Sequence, residues 1–346
     1  MKKFLFCLLA VCMFAFGAFA FTACDEESGE TNTGGTTTVE VYAPDGAPAL
    51  ALAQLMSEEM QFGEDVNYNV VAADTIQTYV TGTNPRADIC ILPVNLAAKL
   101  LGTGESYQML GTVTHGNIYI LSTTETELTE ENAATLLAGT KIGCLQRDNF
   151  VGYVLRAVLN KYNVAHEDRE NKQEENTTGT TAYLYNVSGG EILPTADYDY
   201  MIAAEPAVSR KVNATSLKVV GSLQTLYGGT EGYPQAVLVA KTSLIEAEPA
   251  FIESFTQAVA ANAEWLLDAD TQASVICDAV ESHLPEGATP SFTESDLTKE
   301  VISACAVRFT AAADCKDEVL SFLSVLSAAA GQTFTASDAF FYTPAE

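Results

Sequence analysis

The stretch that decides the fold of this chain is TVEVYAPDGAPALALAQLMSEEM, residues 38–60. Its first six residues, Thr38–Ala43, are rich in β-branched side chains and predict a short strand. Proline and glycine between positions 44 and 48 break the strand, and the segment Ala49–Met60, rich in alanine, leucine and methionine, predicts a helix. The chain therefore begins with a strand, a tight turn and a helix.

The same pattern recurs twice in the next 40 residues or so. Val66–Val71 predicts a second strand, and Asp74 marks the start of a second helix. Ala87–Leu92 is a continuous apolar run, typical of a buried strand, and a helix is predicted at Leu96–Leu101. Strands that alternate with helices in this way predict a parallel sheet flanked by helices.

A second alternating segment follows, and then a tail of different character. The polar stretch Ala165–Thr181 predicts an exposed loop, and the composition after Pro249 predicts an almost entirely helical tail. The predicted strands are Asn117–Ser122, Lys141–Leu145, Tyr183–Val187, Tyr200–Ala203, Lys218–Val220 and Gln235–Ala240. The predicted helices are Ala133–Leu137, Phe150–Tyr162, Ala250–Leu267, Ala273–Glu281, Asp296–Phe309 and Lys316–Ala329.

The first residues predict export. Lys2 and Lys3 precede the apolar run Phe4–Phe21, which is the layout of a secretory signal. Small residues then stand before Cys24, and the chain turns abruptly polar, which resembles a bacterial lipobox with Cys24 as the lipidated N-terminus. Phe21 occupies a position where leucine is usual, so ordinary cleavage and an uncleaved anchor are the alternatives. We expect a signal peptide at residues 1–23 and a flexible polar tether at 24–38.

The charge of the chain excludes one class of partner. Its formal net charge is -28, and it becomes -30 (-28 - 2) once Lys2 and Lys3 leave with the signal. Nucleic-acid binding requires lysine and arginine against the phosphates, so we expect no nucleic-acid partner. The cysteines after Cys24 show no spacing typical of a zinc site, and Cys277, Cys305 and Cys315 leave a disulfide open. No metal is predicted.

Five turns at predicted strand ends form the candidate binding region. Ligands of open α/β sheets lie beyond the carboxyl ends of the strands, where helix N-termini present free N–H groups. The five turns are Pro44–Pro48, Ala72–Thr75, Pro93–Asn95, Gln146–Phe150 and Ala204–Val208. Most of them combine Asp, Asn, Glu or Arg with Gly, Pro or an aromatic residue.

The same turns carry a resemblance to a known family. Ala43–Ala51 resembles the opening strand, turn and helix of ABC-transporter solute-binding proteins, in the group that takes up thiamine precursors, sulfonates and nitrate. Ala87–Ala97 is similar to the group's aspartate, apolar strand, Pro-x-Asn and helix segment. Gly116–Leu121 resembles its first crossing between lobes, Ala203–Pro206 its Glu-Pro turn, and Pro234–Glu264 its returning strand and helix.

The resemblance implies a fold and a mode of action. The fold is a two-lobed α/β periplasmic-binding-protein-like fold of type II, in which each lobe is a mainly parallel sheet flanked by helices, with a helical C-terminal tail. Lobe 1 would take residues 39–114 and 236–346, and lobe 2 residues 115–235. A small molecule would bind between the lobes, which close on a hinge, and pass to the permease of an ABC importer. We expect a monomer without a cofactor, anchored by lipid on the extracytoplasmic face of the cell membrane.

The candidate contact residues come from the turns and from the two crossings between lobes. They are Asp45, Gly46, Ala47, Thr75, Asn95, Thr114, His115, Asn117, Arg147, Asn149, Phe150, Glu205 and Tyr233. For Asp45 and Asn95, helix capping is an equal alternative to ligand contact. Glu205 could cap the helix after Pro206, His115 could be a structural hydrogen-bonding residue, and Tyr233 could pack in the hinge.

Two candidate side chains suggest ligands of opposite charge. Arg147 could hold a carboxylate, sulfonate or phosphate with its guanidinium fork, unless Asp148 neutralises it. Glu205 suits a cationic or amino group. The ligand hypotheses are a neutral or aromatic heterocycle, such as a thiamine precursor, and a sulfonate-like anion.

Catalysis has little support in the sequence. There is no Gly-x-Ser-x-Gly elbow, P-loop or His-Glu-x-x-His pair, and the histidines His115, His166 and His283 are scattered. The alternatives to a transport receptor are an enzyme acting on a pyrimidine-like substrate and a surface adhesion or signalling module.

The lipobox hypothesis predicts a change of compartment. Cys24→Ser removes the thiol that would carry the lipid, so we expect the variant to leave the membrane fraction of an expressing bacterium for the soluble exported fraction. Cys277→Ser is the matched control and should stay with the membranes. Equal membrane retention of both variants would contradict lipidation at Cys24.

Overall fold

The computed structural model describes residues 38–228 and 232–344. The predicted signal peptide, Cys24 and the tether up to residue 37 lie outside the described residues. Among the residues described, no helix combines the length and apolar character that a bilayer crossing requires.

Twelve strands form two six-stranded sheets in the described part of the chain. The strands are β1 (Val39–Pro44), β2 (Val66–Val71), β3 (Ile89–Pro93), β4 (Tyr107–Thr114), β5 (Ile118–Ser122), β6 (Lys141–Leu145), β7 (His166–Arg169), β8 (Ala182–Val187), β9 (Tyr200–Ala204), β10 (Lys218–Ser222), β11 (Ala236–Lys241) and β12 (Val307–Ala311). The first sheet has the order β12-β4-β11-β3-β1-β2, and the second has the order β10-β5-β9-β6-β8-β7.

Helices cover both sheets. They are α1 (Ala47–Leu50), α2 (Ala53–Ser57), α3 (Val94–Leu101), α4 (Ala133–Leu137), α5 (Phe150–Lys161), α6 (Ala207–Ala214), α7 (Leu223–Tyr227), α8 (Thr242–Ala247), α9 (Pro249–Leu267), α10 (Ala273–Glu281), α11 (Lys299–Ala304) and α12 (Ala312–Ala330). Short 3-10 helices lie at Ile76–Tyr79, Gly189–Glu191, Glu294–Asp296 and Asp338–Phe340.

Each sheet has a parallel half that matches the predicted alternation of strands and helices. In the first sheet β1 pairs in parallel with β2 and β3. In the second, β6 pairs in parallel with β8 and β9, and β7 with β8. The antiparallel pairs involve the strands next to the crossings, such as β11 with β3 and β4, and β5 with β9 and β10. The predicted two-lobed α/β class is confirmed.

The chain crosses between the sheets twice. It leaves the first sheet at the end of β4, enters the second at β5, and returns at β11. Helix α12 then packs against the crossing region, where the Phe322 ring stacks on Tyr233 at 5.0 Å and lies 6.2 Å from Phe150. The limits predicted for the lobes, 39–114 with 236–346 and 115–235, stay a prediction.

Three predicted elements are wrong in detail. The predicted loop 165–181 contains the edge strand β7, whose polar side chains are only half-buried or exposed. The predicted helix Asp296–Phe309 ends at Ala304, and β12 follows a left-handed residue, Ala306 (φ 51°). The helix predicted at Ala49–Met60 is split into α1 and α2. Strand β4 was not predicted, although it is almost wholly buried between β11 and β12.

The break between α1 and α2 is held by one buried side chain. Asn262 of α9 accepts a hydrogen bond from the Gln54 N–H at 2.8 Å and donates one to the Leu50 carbonyl at 2.9 Å. Its side chain is fully buried. The pair of bonds satisfies main-chain groups that the interrupted helix would otherwise leave unpaired.

Asn262→Ala should therefore destabilise the fold. The change leaves the Gln54 N–H and the Leu50 carbonyl without a partner. An unsatisfied buried polar group costs about 1–3 kcal/mol, so we expect the free energy of unfolding to fall by about 3 kcal/mol. Urea denaturation measures it. Asn213→Ala, on the exposed side of α6, is the control and should stay within about 0.5 kcal/mol of the parent protein.

Candidate functional site

A cavity of about 360 Å³ lies between the two sheets, where the strand-end turns meet. All five predicted turns contribute to its wall. The lining residues are Pro44, Asp45, Gly46, Ala47, Pro48, Ala73, Asp74, Ile76, Gln77, Pro93, Asn95, Leu96, Asn117, Leu145, Gln146, Asn149, Phe150, Val151, Ala204, Glu205, Pro206, Ala207, Gln235, Ala236 and Ser291. The volume falls in the range of small-molecule sites.

Strand-to-helix connections form most of this wall. The carboxyl ends of β1, β3, β6 and β9 run directly into α1, α3, α5 and α6, and each of these helices begins at the cavity. At the first connection Gly46 adopts φ 110°, a conformation that disfavours any residue with a Cβ atom. We call this space, with its lining residues, the cleft.

Asp45 does not cap a helix; it reaches across to a distant loop. Its carboxylate accepts hydrogen bonds from the Ser291 N–H at 2.7 Å and from the Ser291 hydroxyl at 3.0 Å. Burial raises the pKa of Asp45, and the hydrogen bonds from Ser291 oppose that rise. Each carboxylate oxygen has two lone pairs, so acceptor capacity remains for a ligand.

Glu205 faces the cleft from the second sheet and also caps a helix. Its carboxylate accepts from the Ser209 N–H at 2.9 Å and from the Ser209 hydroxyl at 2.7 Å, so it satisfies a main-chain donor in the first turn of α6. The residue is 6% exposed. Burial raises the pKa of Glu205, against the effect of the Ser209 hydrogen bonds. The capping alternative for this residue is therefore observed.

Asn117 joins both crossings to the Glu205 turn. Its Nδ2 donates to the Glu205 carbonyl at 3.0 Å, and the Glu205 N–H donates to the Asn117 carbonyl at 2.9 Å. The Gln235 side chain completes the set: its Nε2 donates to Asn117 Oδ1 at 2.7 Å, and its Oε1 accepts from the Asn117 N–H at 3.1 Å. These bonds hold the cleft floor where the chain passes between sheets.

Asn95 differs from the other polar residues of the cleft. It is 8% exposed, and its Oδ1 is buried without a hydrogen-bond partner in the described structure. It does not cap α3, since Pro93 occupies the capping position. A buried acceptor without a partner costs free energy unless a bound molecule supplies a donor.

The comparisons with known proteins agree with this architecture. An ABC-transporter structure from Parabacteroides distasonis aligns with 89% of this chain and 99% of its own, at 19% identity and a TM-score of 0.67. A periplasmic aliphatic sulphonate-binding protein from Escherichia coli aligns with 89% of this chain and 93% of its own, at 12% identity and a TM-score of 0.57.

A third solved structure is the ligand-binding component of an ABC-type import system from Staphylococcus aureus, with zinc bound. It aligns with 88% of this chain and 96% of its own, at 12% identity and a TM-score of 0.57. No family model matches the sequence, and no curated protein matches it. This chain has the solute-binding-protein fold. At these identities the likeness establishes the fold alone.

Eight of the 13 predicted contact residues line the cleft of this solute-binding-protein fold. They are Asp45, Gly46, Ala47, Asn95, Asn117, Asn149, Phe150 and Glu205. Their part in ligand binding stays a prediction. Phe150, at the start of α5, is 7% exposed, and its ring lies 6.3 Å from that of Tyr233.

Arg147 lies behind the wall, with every guanidinium N–H engaged. It donates to both oxygens of Asp148 at 3.0 Å, to Glu170 at 2.8 Å, and to the carbonyls of Arg169 and Leu184. The hydrogen bonds that Arg147 donates to the Asp148 carboxylate are the main cause that raises the pKa of Arg147. In this structure the Arg147 guanidinium has no N–H left for a ligand anion. The structure agrees with the alternative in which Asp148 neutralises Arg147.

Four further predicted residues also lie off the cleft wall. Thr75 is exposed and donates to the Ala72 carbonyl, and Thr114 is fully buried. Tyr233 packs in the crossing region, the alternative expected for it. His115 shares a hydrogen bond with Thr112 at 2.8 Å, and burial lowers its pKa to about 3, so it stays neutral at physiological pH.

His115 instead lines a second, larger cavity. This space of about 540 Å³ lies beside the two crossings and is bounded by Tyr119, Gln224, Leu267 and Arg308, among others. None of the five strand-end turns reaches it. We therefore place the candidate binding site in the cleft.

Five polar residues of the cleft were not among the predicted contact residues. They are Asp74, Gln77, Gln146, Gln235 and Ser291. Gln146 is directly after β6 with a left-handed φ of 57°, and a polar residue at that position of a predicted turn was an available signal. Ser291 had none, because its partner Asp45 is 246 residues away.

The charges on the cleft wall have one sign. Asp45, Asp74 and Glu205 line it, and no lysine or arginine does so among the described residues. Arg210 comes near the rim, where it donates to the Ser291 carbonyl at 3.4 Å. At an effective dielectric constant of about 20, two like charges about 4 Å apart repel by roughly 4 kcal/mol. The ionisable side chains of the wall therefore favour cations, whereas the helix N-termini that begin at the cleft favour negative charge.

The buried carboxylate of Glu205 predicts a pH-dependent stability. Because its pKa is raised in the fold, the folded state holds this proton more tightly than the unfolded chain does. The protonated Glu205 side chain contributes its full stabilisation at low pH. That stabilisation is lost as the pH rises through the pKa of Glu205 in the folded state. Glu205→Gln removes the charge, so we expect the variant to gain melting temperature over the parent at pH 7, and the gain to shrink on acidification.

Melting curves between pH 4 and pH 8 measure the difference. Glu246→Gln, an exposed position on α8, is the control and should follow the parent protein. If the difference in melting temperature between Glu205→Gln and the parent protein does not depend on pH, the desolvation argument is contradicted.

Proposed function

We propose that this protein is an extracytoplasmic solute receptor of an ABC importer, which captures a small organic molecule in the cleft and delivers it to the permease. The observation that carries the proposal is the meeting of five strand-end turns, from two sheets, around one cavity of ligand size. The fold shared with ABC-transport binding proteins supports it.

The chemistry of the cleft favours binding without turnover. Its described lining contains no histidine, cysteine or lysine, which are common general bases and nucleophiles. The half-buried carboxylate of Asp45 and the buried carboxylate of Glu205 are each held by a serine. A pyrimidine-directed enzyme has less support from this wall than a receptor has.

The proposal extends to the attachment of the protein. Lipidation at Cys24, followed by a polar tether, would keep a monomeric receptor close to the permease and free to rotate. This part rests on the sequence alone.

The ligand that best suits the cleft is a flat heterocycle, of which a thiamine precursor is an example. Phe150 offers an aromatic surface, and Asn95, Asn117 and the carboxylates offer hydrogen-bonding groups. A sulfonate would have to bind without Arg147, whose donors are all engaged. The heterocycle is therefore preferred to the anion.

Filling the cleft should abolish capture. Ala207 lines it at the start of α6, so Ala207→Trp should place an indole in the cavity and displace the solute that the parent protein retains. Ala214→Trp, at the exposed end of the same helix, is the matched control. Native mass spectrometry after exposure to a cell extract should show a bound solute for the parent and control, and none for Ala207→Trp.

Two further measurements complete this test. Melting temperatures must show that Ala207→Trp is folded, and X-ray scattering should show a smaller radius of gyration when solute is bound, as hinge closure requires. Equal solute occupancy in Ala207→Trp would place binding elsewhere. Chemical conversion of the retained solute by the parent protein would support an enzyme instead.

A further inference from the structure

The described ionisable side chains that line the cleft are all acidic, which the proposed function does not require. Three carboxylates line it, and the basic groups that could balance them lie elsewhere: Arg147 is saturated behind the wall, and Arg210 reaches only the Ser291 carbonyl at the rim. Two of these carboxylates, Asp45 and Glu205, are substantially buried. A buried carboxylate lacks much of its hydration and gains from a cation brought beside it.

Asn95 supplies a second and independent sign of what binds. Asn95 lines the cleft, and its Oδ1 is buried and has no hydrogen-bond partner within the described protein. An oxygen acceptor in this position needs an N–H or O–H from a ligand. The carboxylates also accept hydrogen bonds.

We propose that the solute is an organic cation, with an amine or amidine head that donates N–H bonds to Asn95 and the cleft carboxylates and a flat apolar body against Phe150. The inference rests on the proposed function and specifies the ligand class of the same site. The apolar part of the wall, which includes Ile76, Leu96 and Val151, suits such a body. A cationic head also interacts favourably with an aromatic face.

The size of the cavity and the net charge of the whole protein fit this ligand. A cavity of about 360 Å³ accommodates a ring with a short substituent. The formal net charge of -28 raises the local concentration of cations near the protein and lowers that of anions.

Three probes that share a phenyl ring and differ in the charge of its substituent test which ligand charge the cleft prefers. Benzamidine, benzamide and benzenesulfonate share a phenyl ring and carry a cationic, a neutral and an anionic head. Isothermal titration calorimetry on the full chain, stripped of solute by unfolding and refolding, gives the affinities. We expect benzamidine to bind at least tenfold more tightly than either of the others.

Variants assign the contacts. Asn95→Leu removes the buried acceptor and keeps the size of the side chain, so we expect it to weaken benzamidine binding about tenfold, the effect of a lost charge-assisted hydrogen bond. Its melting temperature should not fall, because an unpaired polar group is replaced by an apolar one. Asn213→Leu on exposed α6 is the matched control and should bind as the parent does.

The outcomes separate the two proposals. Benzamide or benzenesulfonate binding as tightly as benzamidine, or Asn95→Leu binding benzamidine unchanged, overturns the cation inference. If the parent retains a cell-extract solute that Ala207→Trp loses, yet does not bind benzamidine, the cation class is wrong and the receptor function stands. If neither a solute nor any of the three probes binds, the receptor function itself fails.

Discussion

The cleft depends on the hydrogen-bonded junction of Asn117, Gln235 and the Glu205 turn. Asn117 lies on the outgoing crossing, Gln235 on the returning one, and Glu205 at the end of a strand in the second sheet. All of these bonds are in a buried or half-buried setting, where an unpaired polar group is costly. The junction therefore fixes how the Glu205 turn meets the crossings, and with it the floor of the cavity.

The acidic side chains of the cleft combine structural and binding capacity. Asp45 holds the distant Ser291 loop, and Glu205 caps α6, yet both residues line the cleft and each carboxylate keeps unused acceptor capacity. Their pKa values are raised because burial removes water from the charged form. A ligand that brings N–H donors and positive charge would replace that water, whereas an anion would add repulsion. The proposed preference for cations thus rests on the same groups that hold the walls of the cleft.

The sequence predicted the fold better than it predicted the site. Strands β1, β3, β6 and β9 were readable because each is a compact apolar run followed by a turn and a helix. Strand β7 was missed because an edge strand can be polar, and β12 because a short strand after a helix lacks a periodic signal. Arg147 was expected in the site since it occupies a strand-end turn, but its guanidinium is hydrogen-bonded to four acidic or carbonyl partners away from the cleft wall.

By itself, the sequence determined the alternation of strands and helices, the excess of acidic residues and the positions of the five strand-end turns. These properties are local or additive, so they can be read from neighbouring residues. Tertiary structure alone decided which turn residues face the cleft, that Ser291 joins Asp45 across 246 positions, and that Asn95 Oδ1 is left without a partner. Such features depend on the direction of each side chain after the two sheets have packed, and no local pattern in the chain encodes that direction.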